Sequence, residues 1–155
     1  MHPIKKRNFF HFTESMIAGV GAFIGLSLIG LIAQKADTMM IIAPFGATAV
    51  LLFSAPASPF SKPWNIFGSY FIATIMGTLV LVYTDGGWFS IGTGLGITIM
   101  LMHLAKVIHP PAGANFLIVT QGHLSIYLLE PLLLGLLTLI IIAIGIEKIK
   151  KKFVL

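Results

Sequence analysis

The spacing of charges constrains this chain most. Residues 15–33 carry no charge, and neither do residues 39–56, 65–83, 88–105 or 107–122; a final apolar run, 126–146, contains only Glu130. A helix needs about 20 apolar residues to cross the hydrocarbon core of a bilayer. Of the 155 residues, 57% are hydrophobic and 10% charged, whereas soluble domains are roughly a quarter charged. The connections are too short to hold a soluble domain. The sequence therefore predicts one small all-α polytopic membrane domain covering residues 1–155.

The net charge of +5 is concentrated at the ends, in Lys5, Lys6 and Arg7 and in Lys148, Lys150, Lys151 and Lys152. Basic residues flanking apolar runs mark the cytoplasmic side of a membrane and its lipid headgroups. No aromatic interleaving accompanies them, so a nucleic-acid partner is not expected. The chain has no cysteine, which removes disulfides, thiolate chemistry and thiolate-bound metals. The first apolar run is longer than a signal-peptide core and lacks a clear cleavage site, so it reads as a retained helix.

Two stretches are unlike the others. Pro44 interrupts residues 39–56, and Pro110 and Pro111 interrupt residues 107–122. Proline removes a helical hydrogen bond, clashes with the preceding turn and restricts the residue before it. Each stretch is thus expected to be extended up to its proline and helical beyond it. The two also match in sequence. Pro44-Phe45-Gly46-Ala47-Thr48 aligns with Pro111-Ala112-Gly113-Ala114-Asn115, and Lys62-Pro63 with Gly68 aligns with Glu130-Pro131 with Gly135. This predicts a duplication of helix, broken helix and helix, at about residues 15–83 and 88–148.

If both broken stretches cross the membrane, there are six segments, both termini are cytoplasmic, and nine of the ten Lys and Arg lie inside, with only Lys35 outside. If they dip in and return, Lys62 and Lys106 move outside and the split becomes seven to three. The positive-inside bias favours six, arranged as two inverted repeats, a common transporter plan.

The first turn of a helix has amide groups without intrahelical partners, and in hydrocarbon these must be satisfied. Two helix starts converging in mid-membrane, each with roughly half a positive charge, would attract a small anion. The expected substrate-binding set is Pro44, Phe45, Gly46, Ala47 and Thr48 with His109, Pro110, Pro111, Ala112, Gly113, Ala114 and Asn115. Bulk at Gly113 is expected to stop flux, and His109 to carry pH dependence or to bond a carbonyl freed by the break. Lys62, Asn65 and His103 are candidates for a gate or mouth; for Lys62 and His103 the plainer reading is contact with headgroups. Gly46, Ala47, Gly113 and Ala114 alternatively serve close helix packing, and Gly19, Gly21, Gly25 and Gly30 with Gly92, Gly94 and Gly96 serve either packing or a homodimer or other homo-oligomer interface. Histidine spacings match no metal motif, and no nucleophile and base are paired. Neither an enzyme, a metal nor a cofactor is expected.

Residues 42–53, Ser61-Lys62-Pro63-Trp64-Asn65 and above all His109-Pro110-Pro111-Ala112-Gly113-Ala114-Asn115 resemble the HPP family of integral membrane proteins, which takes its name from the His-Pro-Pro triplet. The resemblance covers about residues 39–146. It implies a membrane transporter, with nitrite as the substrate associated with plant and cyanobacterial members. The family is commonly described with four spans rather than six, and often has arginine where Trp64 stands here. The expected function is therefore a carrier or channel for a small monovalent anion, nitrite foremost, in a bacterial inner membrane. A pore for a neutral solute such as water, ammonia or nitrous acid, or an assembly or sensing subunit, are the alternatives.

Overall fold

The computed structural model describes residues 3–36, 43–122 and 129–153, and every regular element among them is helical. The order is α1 (Pro3–Ala36), α2 (Ala43–Ser54), a 3₁₀ turn (Pro59–Ser61), α3 (Pro63–Tyr83), α4 (Trp88–Leu104), α5 (Pro111–Thr120) and α6 (Leu129–Phe153). Three stretches are long and apolar enough to span a bilayer: Phe12–Lys35, Pro63–Tyr83 and Leu129–Lys152. At 12 and 10 residues, α2 and α5 reach only about 18 and 15 Å. The fourth uncharged stretch, expected as an ordinary span, forms a helix of 17 residues, about 26 Å long.

Local chemistry sets these boundaries. Ser58 caps the 3₁₀ turn by accepting the Phe60 N–H, and extended Lys62 precedes Pro63 at the first turn of α3, where its missing N–H is harmless. Beyond α3, Asp85 accepts from the Gly87 N–H and the Ser90 hydroxyl, which folds the link to α4. Residues 107–109 are non-helical up to the prolines, as expected. The matching residues 39–42 before Pro44 lie outside the described residues, as do His2, His123 and the side chains of Lys5, Lys6 and Arg7.

Chain directions are set by neighbouring side chains. Glu14 pairs with Lys150 at 3.7 Å, and Gly21 and Gly25 lie against Ile146 and Leu139, so α1 and α6 are antiparallel. Gly68 lies against Val107 and Gly77 against Val119, so the chain from Val107 through α5 runs parallel to α3. Helix α2 is antiparallel to α3, since the Ser61 hydroxyl donates to the carbonyls of Leu51 and Ala55 while Thr48 meets Tyr70. The six helices therefore alternate in direction. The start of α1, Lys62, Lys106 and the end of α6 share one end of the bundle, and Lys35 lies at the other. Trp64 and Trp88 are exposed at opposite ends, as interfacial aromatics are.

The buried faces repeat. Pro44, Phe45, Thr48, Ala49, Leu52 and Phe53 of α2 each have a buried counterpart in α5, namely Pro111, Ala112, Asn115, Phe116, Val119 and Thr120, at a constant offset of 67 positions. Between α3 and α6, burial matches at an offset of 66 positions, with Tyr70 opposite Leu136 and Thr74 opposite Ile140. The sequence alignment of Pro63 with Pro131 is therefore out of register by two residues. The prolines mark where each helix begins, whereas burial is set by which face meets the bundle. The polar residues of α3 have only apolar counterparts in α6.

Candidate functional site

The His-Pro-Pro triplet solves a specific problem, how to begin a helix away from water. A helix start leaves up to four N–H groups without intrahelical partners. Pro110 already has helical dihedrals (φ −53, ψ −38) and, like Pro111, has no N–H. The next two amides are engaged by a tightened turn, Ala112 N–H donating to the His109 carbonyl and Gly113 N–H to that of Pro110, each at 3.0 Å. For these two amides, this corrects the expectation that the start is bare. These two donors of the first turn of α5 are therefore already engaged within the chain.

His109 is fully buried and joins three elements. Its Nδ1 lies 2.7 Å from the Phe60 carbonyl oxygen, and its Nε2 lies 2.9 Å from Thr48 Oγ1. A carbonyl only accepts, so Nδ1 carries the hydrogen. No carboxylate is among the ring's partners, and a buried charge without one is costly, so the ring is neutral and Nε2 accepts from Thr48. The Thr48 hydroxyl, having given its hydrogen away, accepts from the Tyr70 hydroxyl at 2.9 Å. The result is a directed chain, Tyr70 to Thr48 to His109 Nε2, with Nδ1 donating onward to Phe60. The Tyr70 ring also packs on His109, with centroids 5.7 Å apart. The carbonyl contact expected for His109 is present, but it belongs to the 3₁₀ turn before α3 rather than to the broken stretch itself.

One turn along α3, Thr74 Oγ1 accepts from Asn115 Nδ2 at 2.9 Å. Asn115 is 0% exposed, and its Oδ1 has no hydrogen-bond partner. Thr48 and Asn115, the equivalent positions of the two motifs, thus both reach α3 at residues one turn apart. Together Thr48, Tyr70, His109, Thr74 and Asn115 form a buried polar seam between α2, α3 and α5.

The two helix starts adjoin but are not tip to tip. Because α2 and α5 are antiparallel, their first turns pass side by side, with Thr48 of one against His109 at the head of the other. Among the residues expected to bind substrate, Pro44, Phe45, Thr48, His109, Pro111, Ala112 and Asn115 are buried in the bundle. Pro110, Ala47 and Ala114 are exposed, and a Cβ added at Gly46 would meet nothing within 4 Å. At Gly113 it would meet only Leu95, at 3.9 Å. Asn65 is occupied locally, donating to the Pro59 carbonyl at 2.8 Å, and His103 is exposed at the end of α4. Lys62 lines a cavity with Lys148 and Lys151.

Sequence reasoning missed Tyr70 and Thr74. Their signal was present, two polar side chains one turn apart inside an otherwise apolar span, and polar groups within spans are functional by default. Among the described residues, no three His, Cys, Asp or Glu cluster as a metal site would require.

The family model for the transmembrane region of HPP proteins matches residues 7–153. Two transmembrane proteins of Dictyostelium discoideum are similar to the chain. One is 29% identical over 147 residues, covering 86% of this chain and 51% of its own length. The other is 28% identical over 146 residues, covering 86% and 47%. The chain thus spans about half the length of these curated relatives. No solved structure matches.

Proposed function

The chain belongs to the HPP transmembrane family, and from that premise we propose that it carries a small monovalent anion, nitrite first, across the membrane past the seam of α2, α3 and α5. The observation that carries this reading is the unpaired end of Asn115. A buried polar group without a partner costs about 1–3 kcal/mol, and a polar guest beside Asn115 would offset that cost. Rotating the amide by half a turn lets Thr74 donate to Oδ1, and both N–H hydrogens then face the guest. An anion wants two donors in a site with weak net binding, since conduction requires that the ion also leave.

The setting supports transport. Lys62, Lys106 and the lysines of α6 lie at the end of the bundle where α1 begins, with Lys35 at the other, as expected of six passages with both termini cytoplasmic. The matching burial of α2 with α5 and of α3 with α6, in helices of opposite direction, supports two inverted repeats about the seam. The outward Gly46, Ala47, Gly113 and Ala114 would suit packing against a second copy of the chain.

The test is nitrite, nitrate, chloride and formate flux in proteoliposomes at two pH values, comparing the wild type with Asn115→Leu. Saturable nitrite flux that falls at least tenfold in a variant of unchanged melting temperature is the expected result. Equal flux in the two proteins overturns the site. A second reading, passage of a neutral solute, is favoured by one observation: two amides of the first turn of α5, those of Ala112 and Gly113, are already engaged, which lowers the positive potential offered to an anion.

A further inference from the structure

At the lysine-rich end, a cavity of about 350 Å³ opens between the C-terminal part of α2, the start of α3 and the last turns of α6. Three exposed lysines line it: Lys62, just before α3, and Lys148 and Lys151 on α6. The carboxylate in the wall, Glu147, is engaged by Lys150 at 3.3 Å, and Lys150 also reaches Glu14. None of the three lining lysines is in an ion pair among the described residues. The start of α3 lies at the same place and has no side-chain cap, so its positive pole adds to theirs.

The rest of the wall is apolar, and its order along α6 is informative. Ile140 and Ile144 lie on the side toward mid-membrane, and Lys148 and Lys151 come one and two turns further on. Trp64 beside Pro63 is 74% exposed and sets the headgroup level. The cavity is therefore amphipathic along the membrane normal, cationic at the headgroups and aliphatic where acyl chains begin. A free anion would use only the first half.

We propose that this cavity is a binding site for an anionic phospholipid, its phosphate held by Lys62, Lys148 and Lys151 at the start of α3 and an acyl chain laid along Ile140 and Ile144. Basic pockets between spans commonly take such headgroups. The site is separate from the seam and does not depend on the transport reading.

The test uses the full chain in nanodiscs and in detergent, with Trp64 and Trp88 fluorescence and native mass spectrometry as readouts. Phosphatidylglycerol is expected to bind saturably and to be retained, phosphatidylcholine at least tenfold more weakly, and inorganic phosphate weakly at most. The K62Q/K148Q/K151Q variant is expected to lose that preference at least tenfold, whereas K35Q, at the opposite end of the bundle, keeps it. Should the triple variant not fold, K148E alone is expected to weaken retention severalfold. Equal retention of both lipids by the wild type, unchanged retention in the lysine variants, or equal affinity for inorganic phosphate would overturn the proposal.

Discussion

Replacing Thr48 with valine keeps the side-chain shape and removes one hydroxyl from the middle of the directed hydrogen-bond chain. Thr48 bridges Tyr70 and His109, with all three side chains fully buried. Without its hydroxyl, the Tyr70 O–H has no acceptor and His109 Nε2 no donor. Each orphaned group costs about 1–3 kcal/mol, so Thr48→Val is expected to lose roughly 2–6 kcal/mol. Tyr70→Phe differs because of the chain's direction. It removes the hydrogen that Thr48 accepts but leaves Thr48 donating to His109, so it strands no donor and costs about 0.5–1.5 kcal/mol. Bonds between helices in membranes fall at the low end of such ranges, yet the order of the two variants is independent of that scale. Unfolding in mixed micelles with added sodium dodecyl sulfate, monitored by tryptophan fluorescence, measures both. Nitrogen-15 spectra of His109 are expected to show hydrogen on Nδ1 and none on Nε2. A Tyr70→Phe cost equal to or above that of Thr48→Val would refute the direction of the chain.

Packing gives a second contrast. A Cβ at Gly77 would lie 2.9 Å from Val119 Cβ and 3.0 Å from the Phe116 carbonyl oxygen, so Gly77→Ala is expected to cost about 1–3 kcal/mol, while Gly113→Ala changes stability little in the same unfolding assay. Because Gly113 faces away from the seam, Gly113→Leu is expected to leave nitrite flux in place, against the outcome its sequence position implied; flux in proteoliposomes decides. In the α3–α4 link, the hydrogen bond from Ser90, and after it that from the Gly87 N–H, holds the Asp85 carboxyl below the usual carboxylate range. A lowered carboxyl lends stability above its ordinary range and loses it as pH falls through the lowered value. Ser90→Ala is therefore expected to move the Asp85 titration upward in carbon-13 spectra and to weaken that acid dependence.

Much of the fold was legible because it rests on hydropathy and proline alone. The charge-free runs marked the six helices, and Pro111 marked the start of α5 because the pyrrolidine ring admits nothing else there. The internal match of Pro44–Thr48 with Pro111–Asn115 survives in the structure as two helices with the same buried face. The register of α3 against α6 was not legible, because apolar side chains are interchangeable along a span and only packing selects a face. At the site, Thr48, His109 and Asn115 were found from their motif. Their partners on α3 were not, because a lone tyrosine or threonine in a span gives no sign of which helix it will meet. The engagement of the α5 amides was not legible either, for a physical reason. A second proline extends the helical turn backwards, and the tightened turn engages the Ala112 and Gly113 amides that a single proline would have left exposed.

The most direct test of the transport account is current. With purified protein in a planar bilayer and a nitrite gradient across it, the account predicts a nitrite current whose reversal potential tracks the gradient and which Asn115→Leu removes. Tracer nitrite crossing with no current, or no crossing at all, would contradict it.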